Sequence, residues 1–291
     1  MAVVNTNINS SVAQQALDRT ERSMNTAMER LSTGQRINSA GDDAAGLAIS
    51  SRMTSQIRGL EAGIQNASDA ISMVNTAEGA LIEVTNMLQR MRELALQASN
   101  GTTTSDDRGY MDKEYKNLAV EIERVANNTQ WNGRAIIQGD ANAAGDSNVK
   151  YQVGANGGQT IAVDFGDISK SGHATFSALG LTTAKTGSLS STTTASALLV
   201  GTSAVVAIDS AITAVNTQRA TFGAAVNQLT YAVDNLASVK TNAEASRSRI
   251  LDTDYASETS ELARTQIIQQ AGTAMLAQAN QLPQTVLSLL Q

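Results

Sequence analysis

Few residues in this 291-residue chain could support catalysis. His173, in SGHATF, is the only histidine, so a two-histidine zinc motif such as H-E-x-x-H is impossible and a catalytic imidazole has no obvious partners. Cysteine is absent, which excludes thiol nucleophiles, thiolate metal sites and disulfides. Asp42 and Asp43 are adjacent, but neighbouring helical residues diverge, whereas paired-carboxylate chemistry needs both groups facing one cleft. Placed before AAGLAIS, they read as the N-terminal cap of a helix beginning near Ala44. GANGG at 154–158 lacks both the Lys-Ser/Thr of a phosphate loop and the spacing of a dinucleotide fingerprint, and suits a hairpin turn. Asn66-Ala67-Ser68 and Asn127-Asn128-Thr129 match the N-glycosylation triplet, a pattern short enough to arise by chance. The expectation is a protein that is not an enzyme and uses no metal or cofactor.

The elements that would position any such residues are overwhelmingly helical. Hydrophobic residues make up 42% of the chain and aromatic ones only 3%, so the apolar content is mostly Ala, Leu, Ile, Val and Met, which suit long helices packed side by side. Pro283 is the only proline. The net charge is −6 with no Lys or Arg block, which leaves no electrostatic case for nucleic acid. The start, MAVVNTNINSSVAQQ, has neither a basic region nor a long apolar run, so a standard secretory signal is not expected. No stretch approaches the roughly 18–20 apolar residues of a membrane span.

Ala13, Leu17, Met24, Ala27 and Leu31 mark one helical face, stopped at Gly34 and followed by the connector GQRINSAGDDAAG. Leu60, Ala67, Val74, Leu81, Leu88 and Ala95 then fall seven apart, the pattern of a long, nearly straight helix. NGTTTSDDRG predicts a turn with a helix start at Ser105 or Asp106, and Met111, Tyr115, Leu118, Ile122 and Val125 continue as a helix folding back. From Asn127 to about Gly187 the texture becomes rich in Gly, Thr, Asn and Asp, with VKYQV and QTIAVDF as strands. After a Ser/Thr-rich run the heptads return at Ile208, Val215, Phe222, Leu229, Leu236, Ala243 and Ile250, while Arg219, Lys240 and Arg247 interrupt a second seam. From Asp252, a last stripe carries Tyr255, Leu262, Ile268, Ala271, Met275, Leu282, Val286 and Leu289. The fold class is mainly α: a long-helix coiled-coil bundle with a small β-hairpin region between the N- and C-terminal helical halves.

ERLSTGQRINSAGDDAAGLAIS at 29–50, NTAEGALIEVTNMLQRMRELALQASNG at 75–101 and QIIQQAGTAMLAQANQLPQTVLSLLQ at 266–291 resemble the signature ends of bacterial flagellins. The resemblance covers about 1–140 and 200–291 and fits a short form without large outer domains. It implies an inner coiled-coil filament-core domain of residues 1–43 with 252–291, and a rod-like outer helical domain of 44–251 with a β-rich insert at about 128–187. It implies a secreted, extracellular subunit of the flagellar filament, exported unfolded by the type III apparatus and polymerising through its helical ends for motility. The implied partners are copies of itself, an export chaperone, the filament cap, hook-junction proteins and a flagellin-sensing Toll-like receptor, whose patch maps onto Arg90, Leu94 and Glu114. Leu17, Met24, Leu31, Leu262, Ile268, Met275, Leu282, Val286 and Leu289 are the candidates for polymerisation and core packing. The alternative is a hook–filament junction protein with similar ends.

Physics leads to the same expectation. Two terminal helices of about 40 residues bury little surface by themselves and gain order when neighbours supply the missing face. Head-to-tail contacts need not close, and propagate as an open helix.

Overall fold

The computed structural model describes residues 7–138, 147–166 and 194–289, and the side chains of 203–281 within the last stretch. Five helices and two small hairpins account for most of them: α1 (Ile8–Thr33), α2 (Ala44–Ala98), α3 (Ser105–Asn128), β1 (Gln130–Trp131), β2 (Arg134–Ala135), β3 (Asn148–Gln152), β4 (Thr160–Asp164), α4 (Thr194–Leu251) and α5 (Tyr255–Leu289). The fold is mainly α, with the hairpins between the two helical halves. His173, much of the Ser/Thr-rich run and the last part of the expected β-rich insert lie outside the described residues.

The chain divides into two compact units, one of residues 1–57 and 241–291, the other of residues 58–240. In the second, the seven-residue stripe is buried as read: Ala67, Val74, Leu81, Leu88 and Ala95 join Met111, Tyr115, Ile122, Ile208, Val215, Phe222 and Leu229 in one core. Alanine recurs because small side chains let neighbouring helices approach closely. The interrupting charges face α2: Arg219 lies 3.7 Å from Glu78 and Lys240 3.0 Å from Glu61. Their methylene stems cover apolar surface while the charged ends reach acidic partners at its margin.

α3 starts as expected, with Thr104 as its cap. The Asp107 N–H donates to the Thr104 hydroxyl, and the Thr104 N–H donates back to the Asp107 carboxylate. The Thr104 hydroxyl, which donates to the Asp107 carboxylate at 2.7 Å, and then the Thr104 N–H hold that carboxyl below its ordinary range.

β1 and β2 pair across Asn132-Gly133, both with positive φ (50° and 78°), the backbone that a two-residue hairpin demands and that an Asn-Gly pair tolerates. β3 and β4 pair antiparallel from Asn148↔Asp164 to Gln152↔Thr160, with GANGG at the turn. The pairing confirms VKYQV and QTIAVDF as strands. Val163 and Phe165 are buried in the core, and the Asn66 amide, on α2, donates to the Gln152 carbonyl at 2.9 Å. The first glycosylation triplet therefore has its amide engaged within the fold.

The half-buried Tyr151 hydroxyl meets the Met73 sulfur at 2.9 Å, and burial pushes this phenol up to about 12. Burial, then the nearby Asp112 charge, also raises Tyr115. The unfolded chain ionises near pH 10, so the stability held by a neutral Tyr151 is intact below that value and is lost as pH rises toward about 12. In an absorbance titration of tyrosinate, Tyr151→Phe is expected to remove a step near pH 12.

Candidate assembly surface of the paired chain ends

The unit that holds both chain ends is built on two connectors laid against each other. α1 closes at Gly34, whose N–H donates to the Arg30 carbonyl at 2.9 Å. Gln35 bridges Asp252, the Arg36 N–H reaches the Leu251 carbonyl at 2.7 Å, and the Thr253 N–H returns to the Gly34 carbonyl at 3.1 Å. The Arg36 guanidinium donates to the Ile250 carbonyl at 2.8 Å.

Asp42 and Asp43 do the work of caps. The Asp42 carboxylate accepts from the N–H groups of Asn38 and Ser39, and Asp43 accepts from those of Ala45 and Gly46 at 3.0 and 2.9 Å. The Ser39 N–H, then its hydroxyl and the Asn38 N–H, hold the Asp42 carboxyl below its ordinary range. Both acids are thereby spent on backbone N–H groups left over at a turn and a helix start.

Clamped there, α1 and α5 run antiparallel along each other. The Asn7 amide donates to the Ala279 carbonyl at 2.9 Å at one end, and Arg30 lies 3.6 Å from Glu258 near the other. Between them, Leu17 seats against Gly272, where an added β-carbon would stand 2.7 Å from the end of the leucine side chain and push it aside. Leu17, Met24 and Leu31 of α1 and Leu262 of α5 are half-buried along this seam, with Ala27 and Thr265 buried. Ile268 and Met275 point outward, and the side chains of Leu282, Val286 and Leu289 lie outside the described ones.

The outward set is larger than the sequence stripe. Ile8, Val12, Met28, Tyr255 and Ile267 are exposed beside Ile268 and Met275, so these two helices carry much of the exposed bulky apolar surface among the described residues. The stripe reading missed Ile8, Val12 and Met28 because it follows one face of each helix. Ile8 and Val12 lie on the side of α1 away from Leu17 and Met28 lies near the edge of the seam, so the three share no single stripe.

Arg90 and Glu114 come together: the Arg90 Nε donates to Glu114 Oε1 at 2.8 Å, and its Nη1 to Glu93 at 3.0 Å. Glu114 foremost, then Glu93, holds the guanidinium above its ordinary value. Leu94, one turn from Arg90, is 2% exposed and belongs to the core. Of the three residues, Arg90 and Glu114 are therefore paired at the surface and Leu94 is buried.

Taken together, the described residues form a long-helix protein in which Asp42, Asp43 and Asp107 cap turns and helix starts and whose chain ends pair along a half-covered seam. Two comparisons identify it further. The profile of the bacterial flagellin N-terminal helical region matches residues 4–142, and that of the C-terminal helical region matches 205–290. The chain is 44% identical to a flagellin of Halalkalibacterium halodurans over 91% of each chain. It is 40% identical to the flagellar filament 33 kDa core protein of Treponema phagedenis over 99% of this chain and 100% of that one. A chain from Vibrio parahaemolyticus described as a flagellar hook-associated protein superposes with a TM-score of 0.55, covering 72% of this chain and all (100%) of that one, but at 19% identity it shares the fold alone.

The chain belongs to the bacterial flagellin family. It is a structural subunit of the flagellar filament and not an enzyme, and the hook–filament junction reading is not favoured. Members of this family polymerise with their own copies into a filament, which lies outside the cell. Among the described residues no helix is long and apolar enough to cross a membrane.

Proposed function

We propose that residues 1–43 and 252–291 form the filament core, that 44–251 form the surrounding rod, and that assembly works by copies of the chain covering one another's terminal helices. The observation that carries this reading is the exposed apolar set on α1 and α5, Ile268 and Met275 foremost, above a seam that is already closed by Leu17 and Gly272. Water is released when such a surface is covered, at about 25 cal/mol per Å². Contacts of this kind are heterologous and grow without closing. Leu282, Val286 and Leu289 extend the same apolar tail, which is the segment offered to an export chaperone before assembly.

Export in an unfolded state suits a chain without cysteine, which has no disulfide to open before threading. Growth outside the cell then takes place under a filament cap on a base of hook-junction proteins. The Arg90–Glu114 pair, with Leu94 buried, is the surface offered to a flagellin-sensing Toll-like receptor.

Ile268→Asp tests the assembly reading. A carboxylate there is solvated in the monomer but trapped between copies in the polymer, so seeded elongation is expected to fall by about a hundredfold or more with monomer helicity unchanged. Elongation at the unmodified rate, followed by light scattering and electron microscopy, would contradict the role given to this face.

A further inference from the structure

Methionine supplies all the sulfur of this cysteine-free sequence, and the structure sorts its side chains by location. Met73, Met91 and Met111 are buried in the core of the 58–240 unit, and Met24, Met53 and Met87 are intermediate. Met28 on α1 and Met275 on α5 are 48% and 66% exposed. Among the described residues the two open thioethers therefore both lie on the paired chain ends, and Met275 stands seven residues from Ile268 on one face of α5.

We propose that Met28 and Met275 are oxidation sites at which hydroperoxides switch off assembly, an inference that rests on the assembly surface proposed above. A lone pair of the Sδ atom attacks one oxygen of the hydroperoxide. The O–O bond breaks, an S–O bond forms, and the remaining oxygen leaves as water or an alcohol. The thioether gives up two electrons and the peroxide takes them, so no further reactant is needed. The product is a sulfoxide, polar and chiral where the thioether was apolar and flexible.

In the monomer each sulfoxide stands in water and the seam of Leu17, Met24, Leu31 and Leu262 stays closed, so the fold is kept. Between copies the new oxygen is desolvated against aliphatic side chains, which opposes association. Once a filament has formed the same contacts shield both sulfurs, so the switch acts on unassembled subunits.

The test treats the purified full chain with hydrogen peroxide, maps oxygen uptake by peptide mass spectrometry, and offers the product to filament seeds. Oxygen is expected on Met28 and Met275 before Met73, Met91 and Met111. Seeded elongation should fall by about tenfold or more with unchanged circular dichroism. Stereospecific methionine sulfoxide reductases with dithiothreitol should restore it. Peroxide should leave the elongation rate of the Met28→Leu, Met275→Leu double variant at that variant's own untreated value, and preformed filaments should take up oxygen at these positions of the parent chain about tenfold more slowly than monomer. Oxidised chain that elongates at the untreated rate would overturn the proposal. So would a double variant as sensitive as the parent, or equal uptake by filament and monomer. If untreated chain ignored the seeds, the assembly reading itself would fall, and this proposal with it.

Discussion

Deletion of residues 252–291 is expected to leave a soluble helical chain that forms no filaments, even when seeded. α5 supplies one side of the terminal seam: Leu262, Thr265 and Gly272 are the groups against which the 26-residue α1 packs. Without them α1 is a single amphipathic helix, and isolated helices are marginal in water because their stability comes from packing one face. The core of the 58–240 unit draws on α2, α3, α4 and the hairpins and contains nothing from α5. The truncated chain should therefore keep a cooperative thermal transition while electron microscopy shows no polymer. Filaments of ordinary length from this truncation would refute the role of the tail.

Phe222→Ala carries the largest expected stability effect in the other unit. Phe222, on α4, is fully buried, and its ring lies 5.5 Å from that of Phe165, which follows β4 and is equally buried. In a chain with three phenylalanines this pair joins a helix to the hairpin, and alanine-rich surroundings have little freedom to fill the space of a lost ring. The expected cost is about 3–5 kcal/mol. For a unit of this size that lowers the melting temperature by roughly 6–20 °C. Calorimetry should show the drop in the main transition, and a shift of only about a degree would mean that the ring pair is not a principal tie.

Helices were legible wherever one face alone is buried. The sevens of Ala67 to Ala95 survive intact as core because a helix that covers its stripe with its own neighbours leaves a single unambiguous signal. Asp43 was readable as a cap, since a carboxylate before Ala44 meets free N–H groups whatever else the chain does. The VKYQV and QTIAVDF strands were readable from alternation around a glycine-rich turn.

Relations between elements were harder to read. That Leu17 sits against Gly272 depends on how two residues 255 positions apart are brought into register, which periodicity does not encode. The Asn132-Gly133 hairpin was open to reading, but the strands on either side are two residues each, too short to alternate. Arg90 and Leu94 share a turn yet differ in exposure. Leu94 also follows Met91 by three and precedes Ala98 by four, and that buried column claims it. The outward faces of α1 and α5 were the least legible part of the site. Their apolar residues look like ordinary stripe or scatter until the seam shows which face is already taken.

Amide hydrogen exchange, compared between monomer and filament, tests most directly whether chain ends are completed by other copies. Amides of Ile8–Thr33 and Tyr255–Leu289 should exchange fast in the monomer and gain protection on assembly, while those around Val74, Leu81 and Leu88 should be slow in both states. Terminal helices already as protected in the monomer as in the filament would show that each subunit satisfies its own ends, and the account would fail.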